Sequence, residues 1–159
     1  MATEFLASAA RDAFRDHLAR HRSVTEALAD WCHARGIGSG PIRAERLAPG
    51  AGAGVPAALS VRPGEALVRR RVRLMRGAVA LAEADNLYLP GRLPAGVAHA
   101  LDETDTPFFT LLAAHGFARD PLAPPRDAAG GALETVAVVT IGGRPVSHVR
   151  ERFAPALWR

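Results

Sequence analysis

The chain has 159 residues and 16.8 kDa, enough for one domain that buries about 70% of its unfolded surface. Hydrophobic residues make up 48% of it, but no apolar run approaches the roughly 18 residues that a membrane-spanning helix needs, which argues for a globular core and against a membrane span. The net charge is only +4, and all 20 basic residues are arginines spread along the chain; this argues against nucleic-acid binding and for a mildly positive surface that attracts an anionic metabolite.

Thr3 to about Arg20 is alanine-rich, with Phe5, Ala9, Phe14 and Leu18 at helical spacing, and predicts an amphipathic helix. Its start, Met-Ala-Thr-Glu-Phe, lacks the basic opening and apolar core of a secretion signal, so a cytoplasmic location is expected. Ser23-Val-Thr-Glu26 has the capping-box pattern that begins a second helix, which carries Ala27, Leu28 and Trp31 inward and stops at Gly36. Cys32 is the single cysteine, which fits a reducing compartment. It lies inside that helix and diverges from His33, so a buried, inert thiol is expected. His17 and His21 are four apart but lack a third ligand, so no metal is expected.

Pro41 to Leu47 reads as a short strand, and Ala48 to Pro56 as a flexible glycine-rich loop. A strand from Ala66 to about Met75, a tight turn at Arg76-Gly77 and a partner strand from Ala78 to Tyr88 follow. Pro94 to Leu101 predicts a short helix, and Thr106-Pro107 begins another that carries Phe108, Leu111 and Leu112. Asp120 to Gly131 reads as a second proline- and glycine-rich loop. Leu133 to Ile141 and Pro145 to Phe153, joined by Gly142-Gly143, close the chain as a hairpin. Two helices over 1–35 and a sheet with short helices over 41–155 make a single α+β domain, mainly antiparallel and packed by helices.

Three strands break the apolar pattern expected of a buried face. Alternation puts Arg70 with Val68, Val72 and Leu74, and Glu151 with Val149 and Phe153. On the middle strand Glu83 and Asp85 share a face with Val79 and Leu81, while Asn86 and Tyr88 lie opposite. Charges on apolar faces are exposed, paired with one another, or used on a ligand. An arginine and a glutamate on two such faces suit a small ligand with opposite chemistry at its two ends. The Arg69, Arg71, Arg73 face, together with His148, Arg150 and Arg152, reads as a solvated sheet surface or a partner contact.

The blocks GAVALAEADNLYLPGRL (77–93), DETDTPFF (102–109) and GRPVSHVRERFAP (143–155) resemble the chorismate pyruvate-lyase family, whose fold is shared by the ligand-binding UTRA domains of bacterial regulators. The resemblance covers about Pro63 to Pro155. It implies a chorismate lyase-like fold and a cofactor-independent carbon–oxygen lyase that converts chorismate to 4-hydroxybenzoate and pyruvate for ubiquinone biosynthesis. The alternative it implies is a non-catalytic binder or sensor of a small aromatic carboxylic acid. The matching positions are Arg70 for the ligand carboxylate, Glu151 for its oxygen end, and the Thr106-Pro107-Phe108 turn, where Phe108 offers its main-chain amide. Glu83 and Asn86 are further candidate ligand-binding residues, or else they fix the strand-to-loop corner with Asp85 and Tyr88. Phe109 departs from the family, which often has glycine there; its ring either narrows the pocket or faces the core.

Overall fold

A computed structural model describes residues 1–50, 52 and 54–159. The first helix, α1, spans Ala2–Ala19, with Glu4 in its first turn where a negative charge meets the positive end of the helix dipole. Its buried face is Phe14 and Leu18, with Ala7 and Ala10 half-buried. Phe5 is 75% exposed and Ala9 faces solvent, contrary to the predicted stripe. Ala7 and Ala10 take the inward positions of the first turns instead, packed against the core. Helix α2 (Val24–Arg35) keeps its predicted ends. Ser23 Oγ accepts the Glu26 amide at 3.2 Å, and Gly36 closes the helix with φ 63°, the left-handed conformation that glycine adopts most cheaply.

The strands are β1 (Ile42–Arg46), β2 (Val68–Arg76), β3 (Val79–Tyr88), β4 (Phe117–Pro121), β5 (Arg126–Ala128), β6 (Ala132–Ile141) and β7 (Arg144–Phe153). They form one seven-stranded antiparallel sheet in the order β1-β2-β3-β7-β6-β4, with β5 also on β6. Strand β5 and the last two residues of β4 fall within the stretch that reads as a loop in the sequence. Their pairing surface is the far edge of β6, and a five-residue segment ending in Asp-Pro carries no alternation that announces it. The glycine-rich stretch 48–56 has no strand or helix among its described residues; Ala51 and Ala53 lie outside them. The short helices α3 (Val97–Glu103) and α4 (Phe108–Leu112) begin later than the sequence suggests, and Pro107 caps α4 rather than opening its first turn.

Register sorts the sheet into two faces. On the inner face, Arg70 pairs with Asn86 and Asn86 with Val149, while Val72, Ala84, Glu151 and Thr135 form the next row. Leu74, Ala82, Phe153 and Leu133 form the row beyond, against which Phe14 of α1 packs with its ring 5.1 Å from that of Phe153. Phe14 also meets Trp31 of α2 edge-on at 5.0 Å, and Trp31 donates its indole N–H to Leu157 O at 2.8 Å. Two helices and the C-terminal turn are thus nailed to one spot on the sheet. A bulge at Leu81, between Ala80 and Ala82, breaks the two-residue period of β3. Leu81 is therefore fully buried although Glu83, two positions on, faces out.

The outer face carries charges that alternate in sign across six strands. Glu45, Arg73, Glu83, Arg152, Glu134 and Arg126 follow one another in a single row. One end of this face is covered by the segment before β2, where Leu59, Leu89 and Val138 make a small second core. Arg92 anchors that segment by donating to Glu65 at 2.6 and 2.7 Å and to the carbonyls of Leu59, Ser60 and Pro145. No helix among the described residues is long and apolar enough to cross a membrane.

Two outcomes follow from this packing. Phe153→Ala, which empties the contact with Phe14, should cost about 3–5 kcal/mol in urea unfolding, whereas Phe5→Ala should change stability by less than about 0.5 kcal/mol. The second concerns acid. Hydrogen bonds from Arg92 and then from the Arg62 amide hold the Glu65 carboxyl at about 2, below its ordinary 4.5. Its contribution is therefore complete above the ordinary value and lost as the pH falls through about 2. Stability should decline between those values, and Glu65→Gln should flatten part of the slope in acid titrations followed by circular dichroism.

Candidate functional site

Between the inner face and helices α2 and α4 lies a cavity of about 30 Å³, lined by Val24 and Thr25 of α2, Arg70, Val72, Leu74, Ala84, Asn86, Val149 and Glu151 of the sheet, and Pro107, Phe108 and Phe109. Of the candidates from the sequence, Arg70, Asn86, Phe108 and Glu151 meet here. Thr106 enters through its carbonyl, which accepts Arg70 Nη2 at 3.4 Å. Glu83 lies on the opposite face, 3.4 Å from Arg73, and Asp85 is held by Arg69 at 2.5 and 2.8 Å. Neither carboxylate lines the cavity: Asn86 and Tyr88 face inward, Glu83 and Asp85 outward. Phe109 both lines the cavity and faces the core, with its ring 5.5 Å from those of Phe108 and Phe117.

Arg70 is 6% exposed and has no carboxylate within ion-pairing distance among the described residues. Burial, and then the charge of Arg46, push its guanidinium below its ordinary value, with Tyr88 acting in the opposite sense. A buried cation without a partner costs stability, so its presence asks for a reason. Val68, expected on the same buried face, is 37% exposed at the strand's open end.

Glu151 is 1% exposed and well held on one side only. Its Oε2 accepts Thr135 Oγ1 at 2.7 Å and Arg119 Nη2 at 3.1 Å, while Oε1 has no partner. Arg70 and Glu151 do not pair. They sit two strands and one row apart, with Cα atoms roughly 12 Å from each other by sheet geometry. Asn86 accepts the Ser147 hydroxyl through Oδ1, and its Nδ2 is left unpaired. Three buried polar atoms without partners, Arg70 Nε, Asn86 Nδ2 and Glu151 Oε1, therefore belong to side chains that line one small cavity.

Sequence reasoning missed Arg119, Thr135 and Ser147. Arg119 lies on the unforeseen strand β4, so its face was not readable. Thr135 was readable, as the polar member of the Leu133, Thr135, Ala137, Val139 face. Burial pushes the Cys32 thiol up despite Arg76, which is the chemistry of an inert thiol. His17 is tied to Ala27 O and His21 to Asp30, and among the described residues no three side chains are grouped to hold a metal.

Comparison with known proteins places this geometry in a fold. No family model matches the chain. Over 64 residues, 40% of this chain, it is 42% identical to the uncharacterized protein y4mC of Sinorhizobium fredii, and the match spans 27% of that relative's length. Among solved structures it resembles a domain from Bordetella bronchiseptica described as the ligand-binding domain of a GntR-family transcriptional regulator. The TM-score is 0.50 at 17% identity, over 73% of this chain and 86% of that one. YydK of Bacillus subtilis, described as a transcriptional regulator, gives 0.49 at 9% identity, over 74% of this chain and 59% of that one. The chain has the UTRA-type, chorismate lyase-like fold. At this identity the likeness concerns the fold alone, and it does not single out the lyase branch.

The two buried charges should respond to mutation in opposite directions. Arg70→Met removes an unpaired charge and should leave stability unchanged or raise it by about 1 kcal/mol or more. Arg119→Ala strands Glu151 and should cost about 3–5 kcal/mol, most of it recovered when Glu151→Gln is added. Urea midpoints of the three variants and the wild type decide both.

Proposed function

We propose that the chain is a binding module for a small aromatic carboxylic acid that carries a hydroxyl at the end of the ring far from its carboxylate. The observation that carries this reading is the set of three partnerless polar atoms around one apolar cavity. Each is matched by one ligand group. Arg70 supplies N–H donors in a planar fork suited to a carboxylate. Asn86 Nδ2 adds a second donor in the same row. Glu151 Oε1 is an acceptor, suited to a hydroxyl, because its sister oxygen is already engaged by Thr135 and Arg119. The first amides of α4, beginning at Phe108, have no partner within the helix and add donors near the carboxylate end.

The size of the cavity favours binding with a change of shape. At about 30 Å³ it has room for one or two waters, so an aromatic acid enters only if Phe108 and Phe109 move with the short helix α4. Such coupling between ligand and helix position suits a sensor.

The second reading is the lyase that makes 4-hydroxybenzoate and pyruvate from chorismate. It draws on the same Arg70 and Glu151, with Glu151 acting at the ether oxygen. A glutamate ion-paired to Arg119 is an acceptor first, and this favours the binder.

Calorimetry with 4-hydroxybenzoate, benzoate and phenol, alongside pyruvate release from chorismate, tests both readings. The binder requires saturable 4-hydroxybenzoate binding, loss of it in Arg70→Met, and benzoate weaker by roughly tenfold to a hundredfold because Oε1 stays unpaired. Pyruvate and 4-hydroxybenzoate appearing in equal amounts above the spontaneous rate would replace the binder with the lyase. Absence of both binding and turnover in folded protein would discard the two together.

A further inference from the structure

The Arg70 end of the inner cavity is bounded by a piece of chain that the edge of the sheet holds in place. Residues 102–107 join α3 to α4. They carry the Thr106 carbonyl that meets Arg70, and they lead into Phe108 and Phe109, which line the cavity with Pro107. A helix of five residues, as α4 is, is too short to hold its own place. What the preceding segment is tied to therefore matters.

The ties come from β1, the strand at the edge of the sheet beside β2. Ala44 turns its amide away from β2 and donates it to Asp105 O at 2.6 Å. Arg46, two residues on, donates Nη2 to Leu101 O at 2.7 Å and to Asp102 O at 2.9 Å. These carbonyls lie in the last turn of α3, where no helical amide follows to take them. The Arg46–Asp102 ion pair adds little, since the charges are 3.7 Å apart and the side chains 51% and 72% exposed. Among the described residues, the remaining hydrogen bond between this segment and the sheet is the 3.4 Å contact of Arg70 with Thr106.

Register explains why Arg46 reaches so far. It pairs with Val72 and so projects to the inner face, in the row that continues through Ala84 to Glu151. There it turns to the α3 carbonyls and does not join the cavity lining. Thr104 braces the segment from within, donating Oγ1 to Ala100 O at 2.6 Å and accepting the Thr106 amide at 3.3 Å. A run of bonds thus leads from Arg46 to the one carbonyl that touches Arg70.

We propose that Arg46 is a positioning residue of the ligand site, which fixes the Thr106 carbonyl and through it the direction of the Arg70 guanidinium. The inference rests on the reading of the inner cavity as a site for an aromatic carboxylate. Because the ties from β1 end at Asp105, α4 is free to move for a ligand while Thr106 stays beside Arg70.

The test uses the full chain and Arg46→Met, which keeps much of the side chain's bulk and removes its donors and charge. Calorimetry should show 4-hydroxybenzoate and benzoate weakened by the same factor, roughly tenfold, through loss of charge-assisted bonds. Phenol should bind as before, because only the carboxylate end is disturbed. The loss should persist in about 1 M salt, where the Debye length is ~3 Å and a pure field effect of Arg46 is screened. Arg46→Lys, which keeps a charged donor, should recover most of the affinity. Without ligand, hydrogen exchange at the Ala44 amide should quicken in Arg46→Met and stay slow in Arg70→Met. Equal weakening of all three ligands, a loss that vanishes in high salt, or unchanged Ala44 exchange in Arg46→Met would overturn the positioning role. Wild-type protein that binds none of the three would instead overturn the binding reading, and this inference with it.

Discussion

The structure depends on the register of β3 between β2 and β7. Because side chains alternate along a strand outside the Leu81 bulge, that register decides on which face the other residues of the three strands lie. It puts Arg70, Asn86 and Val149 in one row and Ala84 and Glu151 in the next, all toward the helices. A slip of one residue in β3 would turn Asn86 and Tyr88 out and bring Asp85 and Leu87 in. The aromatic contacts of Phe14 with Phe153 and Trp31 hold the helices over the inner face. The outer-face pairs Arg73–Glu83 and Arg69–Asp85 oppose a one-residue slip as well, since the shift would turn the two acids away from the arginines.

Within that frame the two buried charges are treated unequally. Glu151 has a supporting shell: Thr135 from the neighbouring strand and Arg119 from the sheet's edge fix one oxygen and orient the other. Arg70 has only a carbonyl at 3.4 Å. The acid is fixed and the guanidinium is left with most of its donors unused, which is the asymmetry the proposed ligand reading draws on. The same inequality explains why the region carries polar residues at all, since leucine in place of Arg70 fills such a position without desolvating a charge.

The sheet serves two surfaces with different economies. Inside, charges are few, buried and incompletely paired, and the space around them is nearly filled by Phe108 and Phe109. Outside, charges are many and mostly paired, and the space beside Arg150 is larger. Val149, Arg150 and Glu151 are consecutive on β7 and so face the two environments in turn.

Much of this was written in the chain. The helix ends at Ser23 and Gly36, the Gly142-Gly143 hairpin, and the burial of Arg70 and Glu151 follow from local rules of capping, turns and alternation, which act over a few residues. The resemblance pointed to the fold that the solved structures share. What local rules do not carry is which distant segment lies alongside. The Leu81 bulge, strands β4 and β5, and the outward position of Glu83 are set by neighbours in space, so period counting alone misplaced them. The partnership of Arg119 with Glu151 spans 32 residues, and that of Asn86 with Ser147 spans 61. Only the assembled sheet brings those groups within hydrogen-bonding distance, and only the packing of α4 against it decides that Phe109 both joins the core and lines the cavity.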